Sequence, residues 1–193
     1  MEKPSLVCLF LVFSFTLQHS YRTVATTTTT SCDQRLETWG YVEVLNSEDP
    51  SAIWPIILWL QGGPGGSGVA IGNFLDIGPL DQHLKARQYT WLRKADLLFV
   101  DSPVETGFSY VDDDTLLATS DEEAATELLF LLKNLFNRFE FLQKSTLFIF
   151  GESYGGKITV TLGLAIVKAI HDKELTLTLG GNIYTNSLNY YQA

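Results

Sequence analysis

Residues 150–157, Phe150-Gly151-Glu152-Ser153-Tyr154-Gly155-Gly156-Lys157, predict the architecture of this chain and its chemistry. They place a serine between two glycines in the pattern G-x-S-x-G, directly after the apolar run Leu147–Phe150 and before a helix-like segment. This is the nucleophile elbow, in which a strand, a sharp turn and a helix raise a strained serine to the top of a sheet. A Cβ at either glycine would collide with neighbouring turns. Ser153 is therefore the predicted catalytic nucleophile, and the alternative is a serine that only occupies a helix N-terminus.

A second glycine-rich segment, Trp59–Gly68, continues from the apolar run Ile56–Leu60. Such a loop exposes backbone N–H groups that can bind a phosphate or an oxyanion, and a plain structural turn is the simplest alternative. The phosphate interpretation is weaker because the segment lacks the G-K-[ST] of a P-loop. Together with the elbow, the segment predicts an oxyanion hole formed by the backbone N–H groups of Gly63 and Tyr154.

Length and composition indicate one ordinary globular domain. The chain has 193 residues, of which 46% are hydrophobic and 18% charged, and both fractions are typical of soluble folded proteins. The formal net charge of −9 argues against nucleic acid as a partner. The composition carries no indication of the oligomeric state.

The N-terminal part of the chain divides into two segments that precede the domain. Residues 1–25 contain Lys3 followed by the apolar run Leu6–Leu17, which is too short to span a bilayer and predicts a secretory signal peptide, with a core helix as the alternative. Residues 26–38, with the run Thr26–Thr30, predict a low-complexity linker. Residues 39–193 are the predicted domain. We therefore expect a secreted protein, in the extracellular space or in a vacuolar or lysosomal lumen, with no stable membrane anchor.

The hydrophobic pattern along residues 39–193 alternates between buried strands and helices. Strands are predicted at residues 39–44, 53–60 and 97–100 and from residue 180 onward. Ser120-Asp121-Glu122-Glu123 has the spacing of a capping box and predicts a helix to about Asn137. A second helix is predicted from Tyr154 to Ile170. This order predicts an α/β fold in which helices flank both faces of a mostly parallel sheet.

The motifs resemble those of one known family, the serine carboxypeptidases of the α/β-hydrolase fold. Within the family, the likeness is to plant serine carboxypeptidase-like proteins related to retinoid-inducible serine carboxypeptidase. It extends from about Trp39 to Gly181, and its matching segments are Trp59–Gly68, Asn73–Asp81, Ala95–Val104, Thr106–Tyr110 and Glu152–Lys157. The resemblance implies a peptidase that removes C-terminal residues through an acyl-Ser153 intermediate, acts on a peptide or acyl substrate, and uses no metal or other cofactor.

The resemblance also implies a site for the free C-terminal carboxylate of the substrate. In the family, two acidic residues and an amide side chain bind this group, and the matching positions here are Gln61, Asp76 and Glu152. Solvated surface positions are the alternative for Gln61 and Asp76. Because two carboxyls can hold a third only if they share protons, at least one pKa in the site is expected to be raised. The chain departs from the family at Glu105, which stands where the family has glycine and whose side chain is expected to clash or to fill the site.

The general base of the reaction is not evident in the sequence. In α/β-hydrolases the catalytic acid and then the histidine follow the serine along the chain, and only His171 follows Ser153. His171 belongs to the exposed end of the predicted helix, too far away to act as a base. We therefore expect a truncated chain that holds the N-terminal part of an incomplete α/β-hydrolase domain. The alternative functions are an acyltransferase on the same scaffold and a catalytically inactive remnant that lacks the triad Asp and His.

Overall fold

The structure is a computed structural model and describes residues 12–13, 53–111 and 114–185. The described strands are β1 (Val12–Phe13), β2 (Ile56–Leu60), β3 (Asp96–Phe99), β4 (Thr146–Glu152) and β5 (Thr178–Thr185). They form one sheet in the order β1-β3-β2-β4-β5. All pairings are parallel except that of β1 with β3. Of the predicted signal peptide only β1 is described, and the linker at 26–38 and the strand predicted at 39–44 lie outside the described residues.

Two long helices follow the capping and apolar patterns of the sequence. They are α1 (Asp121–Arg138) and α2 (Tyr154–His171). At the start of α1 the Ser120 hydroxyl accepts a hydrogen bond from the Glu123 N–H at 3.2 Å. The Glu123 carboxylate accepts from the Thr119 N–H at 2.6 Å, so the capping box closes one residue upstream of its usual position. Among the described residues no helix is long and apolar enough to cross a membrane.

Both long helices lie on the same face of the sheet. Alternate strand residues point to this face and form one apolar cluster with the buried sides of α1 and α2; its strand members are Ile56, Leu58, Leu60, Leu98, Leu147 and Ile149, and Val100, directly after β3, belongs to it as well. The opposite face is covered by a π-helix (Gly68–Asp76) and a 3-10 helix (Trp91–Arg93), which pack on Trp59, Leu97 and Phe99. Helical segments therefore flank both faces, as expected, but α1 and α2 share one of them.

Asp96, the first residue of β3, carries an acid whose pKa burial raises to about 6. Below about pH 3 the carboxyl is neutral in the folded and unfolded chains, and no penalty arises. As pH rises toward 6, the unfolded chain ionises while the folded chain resists ionisation, so stability falls. We expect Asp96→Asn to raise the free energy of unfolding at pH 7 by about 1–2 kcal/mol, after allowance for solvent screening. Urea unfolding at pH 4 and pH 7 checks this; the gain should be several-fold smaller at pH 4, and the exposed control Asp114→Asn should show none.

Candidate active site

The chain turns sharply at Ser153, between the end of β4 and the start of α2. The serine has φ 51° and ψ −117°, a combination that non-glycine residues rarely adopt and that stores strain. Its side chain is exposed, so the hydroxyl is accessible. The elbow predicted from the sequence is therefore present, with the strained serine at the carboxyl edge of the sheet.

The two glycines of the elbow allow the backbone to pack closely. A Cβ at Gly155 would lie 2.2 Å from the Leu60 carbonyl oxygen, and a Cβ at Gly151 would lie 2.4 Å from the Gly155 carbonyl oxygen. These distances are far below van der Waals contact. The first turn of α2 can therefore rest directly on β2 and β4 only because both positions lack a side chain.

The glycine-rich loop after β2 lies against the elbow. A Cβ at Gly62 would lie 2.9 Å from the Ser153 Cβ and 3.4 Å from the Tyr154 nitrogen. Gly63 follows directly, with φ 130° and a cis bond to Pro64. The loop closes on itself through a hydrogen bond of 3.0 Å from the Gly66 N–H to the Gly62 carbonyl. The structure thus brings together the two segments that contain the predicted oxyanion donors, Gly63 and Tyr154.

Asp101 anchors this loop, and the sequence analysis did not single it out. The carboxylate is fully buried and accepts hydrogen bonds from the Ser67 hydroxyl at 2.7 Å and from the N–H groups of Val69 at 2.9 Å and Phe108 at 2.8 Å. A Cβ at Gly107 would lie 2.3 Å from the same carboxylate. The signal in the sequence was an aspartate directly after a buried strand, where an acid needs partners to be tolerated.

Gln61, Asp76 and Glu152 meet at the same edge of the sheet. Gln61 follows β2 and Glu152 ends β4, and because these strands are parallel neighbours their carboxyl ends lie side by side. The Gln61 amide nitrogen donates to the Glu152 carboxylate and to the Asp76 carboxylate. Its carbonyl accepts from the Trp59 indole N–H at 2.7 Å, so the orientation of the amide is set by its partners.

The two acids of this cluster interact with each other. The pKa of Asp76 is raised, first by desolvation of its carboxyl and second by the negative charge of Glu152. The positive charge of Arg87 and the hydrogen bond from Gln61 oppose this shift. A raised pKa was the expectation for at least one acid in this site, and Asp76 has one.

Tyr154, the residue after the predicted nucleophile, is bonded to the start of α1. Its hydroxyl donates to Asp121 Oδ1 at 2.5 Å, and the Lys157 ammonium lies 2.5 Å from Asp121 Oδ2. The pKa of Asp121 is lowered, first by the hydrogen bond from Lys157 and then by that from Tyr154. These contacts join α1 to the first turn of α2, beside the predicted oxyanion donor.

Glu105 is not part of the acid cluster, and its side chain does not clash with the site or fill it. Its backbone is left-handed, with φ 64°, which explains why a glycine suits this position. Its carboxylate accepts from the Val111 N–H at 2.9 Å, and the residue is exposed. The Glu105 side chain therefore bridges residues 105 and 111 within a single loop.

Neither of the two histidines that the structure describes contacts Ser153. His171 is the last residue of α2. At 1.5 Å per residue it lies about 25 Å along the helix axis from Tyr154, the first residue of α2. Its side chain is 87% exposed and lies 3.0 Å from Asp172. His83 lies in an exposed loop, where its ring nitrogen is 3.5 Å from the Gln82 amide. The described part of the chain thus holds the predicted nucleophile, a loop suited to an oxyanion and an acid–amide cluster, but no general base beside the serine.

Comparisons with known proteins indicate the family of the chain. The family model described as serine carboxypeptidase matches residues 33–192. Serine carboxypeptidase-like 51 of Arabidopsis thaliana is 54% identical over 78% of this chain and 36% of its own length. Human retinoid-inducible serine carboxypeptidase is 41% identical over 75% of this chain and 35% of its own length. The chain therefore spans about a third of the length of the curated relatives that it matches.

The fold is also shared with a solved structure. The prohormone-processing carboxypeptidase Kex1 of Saccharomyces cerevisiae superposes with a TM-score of 0.63, covering 91% of this chain and 38% of that protein. Sequence identity in this pair is 22%, so the likeness shows the α/β-hydrolase fold alone. The match of the family model over most of the chain, together with the elbow and the loop that it contacts, places this chain in the serine carboxypeptidase family.

Proposed function

We propose that this chain supplies the nucleophile, the oxyanion donors and the substrate-carboxylate site of a serine-type carboxypeptidase. The observation that supports the proposal most is the cluster of Gln61, Asp76 and Glu152, whose last member is the chain neighbour of Ser153. A site that binds a free carboxylate one residue from the nucleophile selects the last peptide bond of a chain. The substrate class is therefore peptides with a free C-terminus.

The reaction uses these groups in sequence. The Ser153 hydroxyl attacks the carbonyl carbon of the last peptide bond, and the resulting oxyanion accepts hydrogen bonds from the N–H groups of Gly63 and Tyr154. One such donor contributes about 3 kcal/mol of transition-state stabilisation. The N-terminus of α2 adds a favourable dipole at the same point. As the intermediate collapses, a general base, which the described residues do not supply, passes the proton of the Ser153 hydroxyl to the leaving nitrogen, the C–N bond breaks and the C-terminal amino acid is released. Water then attacks the acyl-Ser153 ester, which releases the shortened peptide and restores the serine hydroxyl.

Binding of the substrate carboxylate brings a third acid beside Asp76 and Glu152. Three ionised carboxylates a few ångströms apart repel one another strongly where water is partly excluded. One proton shared among them converts repulsion into a hydrogen bond, and the raised pKa of Asp76 already favours this state in the free protein. The site thus operates best below neutral pH, which fits the secreted, vacuolar or lysosomal location that we propose from the signal peptide predicted at residues 1–25.

The sequence is compatible with two other functions. An acyltransferase would use the same acyl-serine with an alcohol in place of water, and no contact in the described residues favours it. Binding of peptide C-termini without turnover is compatible with the absence of a described histidine near Ser153. This second function would be that of the 193-residue polypeptide without any further chain, and it would use the same carboxylate site.

Glu152→Gln tests the carboxylate site directly. Between pH 5 and pH 8 we expect the unaltered chain to lose at least about tenfold in affinity for an N-acetylated dipeptide with a free carboxylate, because binding is linked to a proton. The corresponding dipeptide amide should show a flat profile. Glu152→Gln should flatten the profile of the free acid, since a neutral amide donates at every pH. Isothermal titration calorimetry measures all four combinations.

The matched control is Glu140→Gln, which changes an exposed acid in the 3-10 helix after α1. This variant should keep the pH dependence of the unaltered chain. If Glu152→Gln also keeps it, Glu152 does not bind the substrate carboxylate, and the exopeptidase proposal loses its main support.

A further inference from the structure

The Arg87 side chain donates hydrogen bonds to the end of the helix that carries Asp76. Asp76 is the last residue of the π-helix, and the final carbonyl groups of a helix have no partners within it. The Arg87 guanidinium donates to the Asp76 carbonyl at 2.7 Å and to the Leu75 carbonyl at 2.6 Å. A cation at this end of a helix is also favoured by the helix dipole. The planar fork of arginine suits two adjacent acceptors, which lysine cannot match.

The loop that presents Arg87 is itself closely tied. The Arg87 N–H donates to the Pro79 carbonyl at 2.8 Å, and Leu80 and Ala86 form an antiparallel bridge. At the tip, the Asp81 carboxylate accepts from the backbone N–H groups of residues 83 and 85 at 2.8 and 2.9 Å. Arg87 is thus held on a closed hairpin-like loop, so its guanidinium has a defined place relative to the π-helix.

The charge of Arg87 opposes that of Glu152 at Asp76. Among the described residues, the groups that act on the Asp76 carboxyl are Glu152 at the end of β4, Arg87 on the loop and the Gln61 amide after β2. Glu152 favours the neutral form of Asp76, whereas Arg87 and Gln61 favour the ionised form. Loss of the guanidinium would therefore leave the acid pair without its counter-charge and the helix end without its clamp.

We propose that Arg87 is a positioning residue of the carboxylate site: it fixes Asp76 in place and balances the charge of the acid pair. This inference rests on the proposed function, which places the substrate carboxylate there. Arg87 acts through Asp76 and needs no contact with the substrate. It lies outside the segments that carry the family resemblance, so no motif marked it. The proposal separates into a geometric part, which needs the fork, and an electrostatic part, which needs only the charge.

Arg87→Met and Arg87→Lys distinguish these two parts. In Arg87→Met, the pKa of Asp76, followed by carboxyl ¹³C NMR in the free chain, should move upward because the opposing charge is gone. In Arg87→Lys it should stay close to that of the unaltered chain. Both variants should bind the N-acetylated dipeptide acid roughly tenfold more weakly at pH 5, because each loses the fork. Only Arg87→Met should shift the pH profile of binding, toward higher pH.

The control is Arg93→Met, which removes a different arginine, at the end of the 3-10 helix Trp91–Arg93. It should change neither the titration of Asp76 nor the binding of the dipeptide acid. An unchanged Asp76 titration in Arg87→Met overturns the electrostatic part, and full binding by Arg87→Lys overturns the geometric part. A purely structural role would weaken binding equally at every pH without moving the titration. Failure of the unaltered chain to bind the free acid would instead refute the proposed function, and the NMR titration would still test Arg87.

Discussion

No measurable hydrolysis of C-terminal peptide bonds is expected from the 193-residue polypeptide, although its nucleophile elbow is intact. A serine hydroxyl is protonated at physiological pH and attacks slowly unless a base takes its proton. His83 and His171 do not contact Ser153, and His19 lies in the predicted signal peptide. Removal of the histidine from a serine triad lowers kcat by about a millionfold. The loss expected here is of that order.

Mass spectrometry of the released C-terminal amino acid measures this rate, with a purified serine carboxypeptidase as the positive control for the assay. Calorimetry on the same preparation should still detect binding of the peptide acid, since the carboxylate site does not need the base. Turnover that disappears in Ser153→Ala would contradict the prediction, because it would show that another group in this polypeptide activates the serine.

Asp101→Ala is expected to lower the free energy of unfolding by about 3–5 kcal/mol. The substitution removes the acceptor of three donors, namely the Ser67 hydroxyl and the N–H groups of Val69 and Phe108. The carboxylate is fully buried, so water cannot replace it without opening the loop. Urea unfolding followed by circular dichroism measures the change. A change of this size is a large part of the stability of an ordinary domain.

Asp101→Asn keeps the shape of the side chain but turns one acceptor into a donor. It should be less harmful than Asp101→Ala, and it provides a measurable variant if the alanine variant does not fold. Asp114→Ala, at the exposed start of a 3-10 helix, is the control and should stay within about 0.5 kcal/mol. If Asp101→Ala is equally mild, the buried carboxylate does not hold the glycine-rich loop.

The local elements of the fold could be predicted from the sequence because neighbouring residues determine them. The strand bounds at β2 and β3 and the bounds of both helices agree with the predictions to within a few residues. Ser120 caps the start of α1 because its hydroxyl accepts a hydrogen bond from the N–H of Glu123, three residues ahead. The strained turn at Ser153 follows from glycines two residues away on each side. These features depend on contacts within one or two turns of the chain.

Features that join distant segments were decided by the tertiary structure. Gln61 and Glu152 are 91 residues apart, and Asp101 lies 34 residues from Ser67. The family resemblance pointed to the first pair, but no motif marked Arg87, and the place of Asp101 after a predicted strand did not show which groups it would bond. The order of the strands places β2 between β3 and β4 and brings their three carboxyl ends to one edge, and the loop that carries Arg87 packs against the end of the π-helix. A buried or clustered charge is stable only where distant groups supply hydrogen bonds and counter-charges, and those groups become neighbours only when the sheet has formed.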